Sequence, residues 1–215
     1  MRSSSQQNIL LVDTTAKCYK KFTPLALLRL SAHYKANGAN VALVDAGSLP
    51  KFKPDIICFS FVFLFNHKYD SEWVLSYRKK YPSAKIRIGG VSPTLMPEKY
   101  RHYLGDGVEI FEGRSDELEA ITPDFSISQT DYSYGFTSRG CPNKCPWCVV
   151  PKIEGHQKIV DNWRTQIDTS KRLFLAFDNN FLACGSKHVE SVLSFCHENN
   201  IKIDCNQGMD AQILH

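Results

Sequence analysis

The sequence predicts an α/β fold, with a doubly wound parallel sheet in its first part and a second α/β unit after it. Short apolar segments alternate with helix-like segments along most of the chain, which is the pattern of parallel strands joined by crossover helices. The strand-like segments are apolar at consecutive positions, as expected where helices cover both faces of a sheet. Residues 121–131, a stretch containing Pro, Asp and Ser, interrupt the alternation and form a predicted linker.

The first unit, residues 1–120, contains five predicted strands, each a short apolar run. They are Asn8–Asp13, Asn40–Asp45, Asp55–Phe63, Lys85–Gly90 and Gly107–Gly113. Helices are predicted over Pro24–Asn37, which is rich in leucine, over Asp70–Lys80 and over Met96–Leu104. Strand and helix therefore alternate through this unit, as a doubly wound sheet requires.

The second unit, residues 132–215, starts the alternation again. Its predicted strands are Tyr132–Ser138, Arg172–Phe177 and Ile201–Cys205. The segment His188–Asn199 is predicted to be an amphipathic helix, because its apolar side chains recur at helical spacing. A polar stretch around Trp163 is a further candidate helix.

The composition indicates a globular protein without a membrane span. The hydrophobic fraction is 43 % and the charged fraction 22 %, both ordinary for a soluble domain. The longest apolar run, Ile56–Phe65, is too short to cross a bilayer, and the N-terminal stretch does not resemble a signal peptide. Eight cysteines without a secretory signal predict a reducing, cytoplasmic setting, in which metal-binding or catalytic thiols are favoured over disulfides. The net charge of +4 permits an anionic ligand but does not indicate nucleic acid binding.

The most informative motif is C-x3-C-x2-C, formed by Cys141, Cys145 and Cys148 in a loop that follows a predicted strand. Three thiolates can hold three irons of a [4Fe–4S] cluster and leave the fourth iron open to a small molecule. A zinc site completed by His156 is an alternative, although structural zinc sites usually pair their ligands as C-x2-C. Three unlinked core cysteines are a further alternative, which the neighbouring prolines and lysine disfavour because they mark a loop.

This motif, with the aromatic Trp147 directly before the last cysteine, resembles the signature of the radical S-adenosylmethionine superfamily. The longer string Arg139–Pro151, followed by Glu154 and Gly155, is similar to the branch whose N-terminal domain resembles a cobalamin-binding domain. The resemblance implies a Rossmann-like sheet followed by the first half of a radical SAM (β/α) partial barrel. It implies an enzyme in which S-adenosylmethionine binds the open iron and is cleaved to a 5′-deoxyadenosyl radical. It also implies an electron donor protein of the flavodoxin or ferredoxin kind.

The resemblance also assigns residues to the cosubstrate. The end of the second barrel strand holds the methionyl ammonium in this superfamily, and here that position carries Asp178, Asn179 and Asn180. Oxygen atoms of such residues accept the hydrogen bonds of an ammonium group. Gln207 and Asp210 follow the third strand and are candidates for cosubstrate or substrate contact, while Trp147 would form a wall for the adenine. The alternative for the strand ends is a polar turn without a ligand, because Asp and Asn are common there.

In the first unit, Gly89 and Gly90 resemble the glycine pair of cobalamin-binding domains, where glycine lets the backbone approach a ligand closely. Cobalamin is therefore a candidate cofactor. The Asp-x-His-x-x-Gly motif that supplies a histidine to cobalt is absent from the sequence. Either cobalamin binds without that histidine, or the domain keeps the fold and has lost the vitamin.

Cys18, in a polar stretch, lacks ligand spacing, and four other cysteines are predicted to be small core residues: Cys58, Cys184, Cys196 and Cys205. Three predicted strands make only half of a radical SAM barrel, so we expect that the chain is a fragment or that a second polypeptide completes the barrel. Two further functions are alternatives. One is a methylthiotransferase that acts on tRNA or protein, because Cys148–Pro151 also resembles that family's cluster loop. The other is a non-catalytic, truncated iron–sulfur or zinc-binding protein.

Overall fold

A computed structural model describes residues 6–15, 22–128, 130–210 and 213 of the chain. The chain forms two compact units, Met1–Ser128 and Gln129–His215. Among the described residues, no helix is both long enough and apolar enough to cross a membrane. Cys18 lies outside the described residues.

The first unit is built on a five-stranded parallel sheet in the order β2-β1-β3-β4-β5. The strands are β1 (Asn8–Asp13), β2 (Asn40–Asp45), β3 (Ile56–Ser60), β4 (Lys85–Gly89) and β5 (Val108–Ile110). The helices are α1 (Leu25–Ala36), α2 (His67–Lys80), α3 (Val91–Leu95), α4 (Pro97–Leu104) and α5 (Asp116–Glu119). This strand order is that of a doubly wound, Rossmann-like sheet, so the predicted α/β class is confirmed.

Both faces of this sheet are buried, which explains the unbroken apolar runs of its strands. Successive residues of a strand point to opposite faces, so Leu10 and Val12 join one core cluster and Ile9 and Leu11 join the other. The cluster around Leu10 contains side chains of α2 and α4, and the other contains side chains of α1. Each fully buried aliphatic side chain contributes about 1.5–3 kcal/mol relative to exposure.

Two predicted elements of this unit are shorter or divided in the structure. The third strand ends at Ser60, although the apolar run continues. The next residue, Phe61, still donates its amide to the Gly89 carbonyl at 2.9 Å, and its buried ring stacks on Tyr100 of α4 with ring centroids 5.6 Å apart. The predicted helix Met96–Leu104 begins at Pro97, because Met96 has an extended φ of −136° and proline restricts the residue before it.

Residues 121–128, the first part of the predicted linker, pack within the first unit. The Asp124 amide donates to the Leu28 carbonyl of α1 at 3.2 Å. The Asp124 carboxylate accepts hydrogen bonds from Ser31 and Lys35, each at 2.6 Å, and Phe125 is buried. This segment is therefore held to α1.

The second unit contains a three-stranded parallel sheet in the order β10-β9-β6 and a two-stranded antiparallel ladder. The sheet strands are β6 (Ser133–Gly135), β9 (Leu173–Ala176) and β10 (Lys202–Asp204), and the ladder joins β7 (Ser138–Arg139) to β8 (Lys158–Ile159). The helices are α6 (Val150–Ile153) and α7 (Ser186–Glu198), with 3₁₀ turns at Trp163–Gln166 and Phe181–Cys184. That this sheet is the first half of a barrel stays a prediction.

The predicted strand Tyr132–Ser138 is divided between β6 and β7. The division occurs at Thr137, whose amide donates to the carboxylate of Asp178 at 2.8 Å instead of continuing the ladder with β9. The chain leaves the parallel sheet there and enters the ladder with β8. A side chain more than forty residues away in sequence therefore sets the end of β6.

Candidate iron–sulfur site

The cysteine loop, residues 140–157, begins directly after β7 and ends directly before β8. The two strands pair antiparallel, with Arg139 opposite Lys158 and Ser138 opposite Ile159. The loop therefore begins and ends at the same place, beside the carboxyl end of β6. All three cysteines of the motif lie inside it.

Gly140 brings the start of the loop against its end. Its φ is +79°, and a Cβ atom there would lie 2.4 Å from the His156 carbonyl oxygen and 2.7 Å from that of Gly155. Glycine adopts positive φ without steric cost, and no other residue would fit without moving the opposite backbone. Gly140 is thus required by the close approach of two backbone segments.

Glu154 connects the loop to both neighbouring strand ends. Its Oε1 accepts a hydrogen bond from Arg139 Nη1 at 2.9 Å, and both side chains are only 11 % exposed. Its Oε2 accepts from the Gly140 amide at 2.8 Å and from Asn179 Nδ2 at 2.8 Å. The Arg139 guanidinium also lies 3.5 Å from the centroid of the Phe136 ring. One carboxylate thereby joins β7, the loop and the segment after β9.

The three cysteines of the motif are free thiols and are partly exposed. A turn joins the last two, with the Cys148 amide donating to the Cys145 carbonyl at 3.0 Å. The side-chain amide of Asn180 lies 4.0 Å from Cys141 Sγ. N–H groups near cluster sulfurs are one means by which proteins set cluster potentials.

An open cavity of about 240 Å³ adjoins the first cysteine. Its lining consists of loop residues, namely Cys141, Pro142, Lys144, Pro151, Gly155 and His156. Cys141 therefore borders open space at the surface of the loop.

The ligand atoms of the motif cysteines are not gathered as closely as they would be around a single zinc ion. Zinc lies about 2.3 Å from each thiolate in a tetrahedral site, so its ligand atoms lie within about 4 Å of one another. Among the described residues, the group of ligand atoms that all lie within 4.8 Å does not contain these cysteines or His156.

Of the three predicted residues beyond β9, Asn179 and Asn180 contact the cysteine loop, whereas Asp178 contacts the β6–β7 junction before it. Asp178 is 1 % exposed, and its carboxylate accepts hydrogen bonds from the Thr137 amide at 2.8 Å and from the hydroxyls of Thr137 and Ser138 at 2.7 Å each. Asn179 donates to Glu154. Asn180 is 3 % exposed and accepts the Asp210 amide at its Oδ1 atom, at 3.3 Å.

The two candidate residues after β10, Gln207 and Asp210, make different contacts in the structure. Asp210 reaches the cysteine loop, because its Oδ2 atom accepts from Asn143 Nδ2 at 3.1 Å. Gln207 is exposed, and its amide donates to the neighbouring Asn206 at 3.2 Å. Trp147 is 85 % exposed, so its indole does not pack into the core.

Gly89 and Gly90 lie at the carboxyl end of β4 in the first unit. A Cβ atom on Gly90 would lie 2.6 Å from the Phe61 carbonyl oxygen, and its φ of +103° also favours glycine. On Gly89 a Cβ atom would meet the Phe111 side chain at an ordinary 3.5 Å. Packing against the segment after β3 is therefore sufficient to require glycine at position 90.

Sequence reasoning missed a second group of polar residues behind the loop. Asp178, Cys184 and His188 place one ligand atom each within 4.8 Å of one another. Burial raises the pKa of the Cys184 thiol, and burial lowers the pKa of His188 against the opposing effect of Asp178. The sequence gives no signal for this group, because Cys184 ends a 3₁₀ turn and His188 lies on α7, so helical spacing does not relate them.

Comparison with known proteins gives little further information. No family model and no curated protein matches the chain. Among solved structures, it is similar to a novel cobalamin-binding protein from Desulfitobacterium hafniense DCB-2, with 17 % sequence identity and a TM-score of 0.37. The match covers 54 % of this chain and spans only 57 % of that one. A likeness at this level assigns no ligand to the chain.

Proposed function

We propose that the chain binds a [4Fe–4S] cluster through Cys141, Cys145 and Cys148 and belongs to an enzyme that cleaves S-adenosylmethionine reductively. The observation that carries this proposal is the loop itself. Three free, partly exposed thiols lie on a segment closed at its base by the β7–β8 ladder and held by Glu154. Three protein thiolates leave one iron of the cluster for the cosubstrate.

The groups that would hold S-adenosylmethionine come from the ends of β9 and β10. Asn180 lies beside Cys141 Sγ, and Asp210 contacts both Asn180 and the cysteine loop. Amide and carboxylate oxygens here can accept hydrogen bonds from the methionyl ammonium. Asp178 would act by fixing the β6–β7 junction, because its carboxylate accepts hydrogen bonds from the Thr137 amide and from the hydroxyls of Thr137 and Ser138. The exposed Trp147 and Gln207 are candidates for covering the adenosine.

When bound, the reduced cluster supplies the electron that breaks a carbon–sulfur bond of S-adenosylmethionine. The chain's own residues bind and orient the cosubstrate, and the polar groups at the strand ends keep its charged end beside the open iron. We expect an electron donor of the flavodoxin or ferredoxin kind, a cytoplasmic location, and further strands or a second polypeptide to complete the site. The first unit is expected to keep a cobalamin-domain fold without the vitamin, which an absorbance titration with hydroxocobalamin tests.

Anaerobic reconstitution with iron and sulfide, followed by EPR of the reduced protein, tests the proposal. We expect a [4Fe–4S]⁺ signal that changes when S-adenosylmethionine is added, because the cosubstrate coordinates the open iron. Replacing Cys145 with alanine should abolish the cluster. The matched control is Cys196→Ala, which removes a buried thiol of α7 outside the motif.

Two outcomes would contradict the proposal. A wild-type protein without a cluster favours a zinc-binding or scaffold role. A cluster whose spectrum does not respond to S-adenosylmethionine favours a non-catalytic iron–sulfur protein.

A further inference from the structure

A compact cluster of three potential metal ligands lies behind the cysteine loop and includes none of its thiols. It consists of Asp178, Cys184 and His188, whose ligand atoms all lie within 4.8 Å of one another. Asp178 is 1 % exposed and His188 is 6 % exposed, while Cys184 is half-buried. Among the described residues, no other group of three or more Cys, His, Asp and Glu side chains places its ligand atoms within this distance.

The connection between β9 and α7 brings these residues together. Asp178 lies two residues after the end of β9, Cys184 ends the 3₁₀ turn, and His188 lies in the first turn of α7. The turn between them is anchored because Phe181 is buried in the core of this unit. The cluster is therefore a property of one short segment on a packed scaffold.

We infer that Asp178, Cys184 and His188 form a binding site for a single Zn²⁺ ion. A thiolate, an imidazole and a carboxylate are the ligands that zinc takes in proteins, whereas Mg²⁺ and Ca²⁺ take oxygen ligands. Three protein ligands leave the fourth tetrahedral position for a solvent molecule. Binding requires the ligand atoms to draw together from within 4.8 Å to about 4 Å, and the thiol to lose its proton.

Neighbouring hydrogen bonds hold all three ligands in place. The Thr137 hydroxyl lies 2.7 Å from Asp178 Oδ2 and 3.0 Å from His188 Nε2, so it links the carboxylate to the imidazole. Gln157 Nε2 donates to Cys184 Sγ at 3.0 Å. Metal sites use such partners to orient their ligands, and removing one typically weakens metal binding about 10–100-fold.

The site is tested with Co²⁺ as a probe, in a full-length variant whose loop cysteines Cys141, Cys145 and Cys148 are replaced by serine. The loop thiols cannot contribute there, so the result is independent of the proposed iron–sulfur cluster. We expect one equivalent of Co²⁺ to give the absorption of a tetrahedral site together with a thiolate-to-cobalt charge-transfer band. Zn²⁺ should displace it and bleach the colour, because zinc binds such sites more tightly than cobalt.

Substitutions of two other cysteines in this background identify the thiolate that binds cobalt. Cys184→Ser should remove the charge-transfer band, whereas Cys196→Ser, which changes a buried thiol of the same unit, should leave it intact. Thr137→Val should weaken Co²⁺ binding about 10–100-fold without removing the band. If the triple variant does not fold, the difference spectrum between the wild-type chain and Cys184→Ser measures the same band.

The proposal is overturned if the triple variant is folded and binds no Co²⁺. It is equally overturned if the charge-transfer band survives Cys184→Ser. In either case Asp178 and His188 form a hydrogen-bond network around Thr137, with Cys184 bonded to Gln157, and the group holds no metal.

Discussion

Asp70 is a buried acid of α2 in the first unit, with 3 % of its surface exposed. Its carboxylate accepts a hydrogen bond from the Tyr100 hydroxyl at 3.3 Å, and that hydroxyl lies 2.8 Å from Ser92 Oγ. Burial raises the pKa of Asp70 to about 7, although the Tyr100 hydrogen bond opposes this effect. The folded state therefore retains a proton that the unfolded chain has already lost at neutral pH.

Stability should accordingly fall as the pH rises from about 4 to about 7. The contribution of Asp70 is fully present below its unfolded pKa and is lost through its folded pKa. Asp70→Asn keeps the shape without the charge, so the wild type should lose up to about 4 kcal/mol relative to this variant across that range. Urea unfolding of both proteins at about pH 4 and about pH 8 measures the difference.

The control for this experiment is Asp116→Asn, which makes the same charge change on a side chain that is 82 % exposed. It should follow the wild type at both pH values. Parallel pH dependence of wild type and Asp70→Asn would show that the carboxyl group is not buried as described.

Gly140 and Gly155 allow steric contact to be separated from backbone strain. Both have positive φ, but only at Gly140 would a Cβ atom meet the opposite backbone; at Gly155 nothing lies within 4 Å. Gly155→Ala should cost about 1–2 kcal/mol from the left-handed conformation alone. Gly140→Ala should cost more and should reduce the iron bound after reconstitution, because the loop must open. Thermal unfolding and iron content of the two variants measure this, and equal losses would contradict the close approach.

At the scale of elements, Glu154 determines how the cysteine loop is attached to its strands. Glu154 and Arg139 form an ion pair in which both side chains are only 11 % exposed, and replacing Glu154 with Gln removes its negative charge. Breaking a buried pair by removing one partner typically costs about 3–5 kcal/mol. Glu154→Gln should therefore lower the free energy of unfolding by about that amount and reduce cluster retention.

The control is Glu109→Gln, which breaks the pair of β4 and β5 between Arg87 and Glu109. Those side chains are 31 % and 48 % exposed, so screening should keep the cost below about 1 kcal/mol. Urea unfolding compares the two variants, and similar losses would mean that the Glu154 pair is as solvated as the surface pair.

The sequence predicted the bounds of strands correctly where the apolar pattern of the segment itself determines them. Strands β1 and β2 have the predicted bounds, because their apolar runs coincide with buried ladders. The division between β6 and β7 could not be read locally, since it depends on a carboxylate from the end of β9. Pro97, by contrast, was a visible signal for the start of α4.

The same distinction applies to the site. The motif cysteines and the polar residues after β9 could be found from spacing and position, because parallel strands expose their carboxyl ends at one edge. The linking role of Glu154 and the pairing of Cys184 with His188 depend on contacts made only after folding. Cys184 was predicted to be a core residue, but it lies half-buried in a polar group with a hydrogen bond from Gln157.

At the scale of the whole molecule, each compact unit has buried hydrophobic clusters of its own. If the second unit binds S-adenosylmethionine through an open iron, the cosubstrate should stabilise the reconstituted protein by mass action. At a hundredfold excess over Kd the gain is about 2.7 kcal/mol. Thermal unfolding followed at the cluster absorbance, with and without the cosubstrate, measures it. The Cys145→Ala variant should show no gain, and an equal gain in that variant would place binding elsewhere.

The short ladder of β7 and β8 has a consequence for tolerance to insertion and deletion. This ladder holds the two ends of the cysteine loop side by side. The number of residues in the loop therefore does not affect the geometry of the sheet. Lengthening a flexible loop whose ends are already joined costs little, about 0.6 kcal/mol for each doubling. The part of the loop outside the cysteine motif and α6 is thus a place where the chain can grow or shrink while β6 and β9 keep their register.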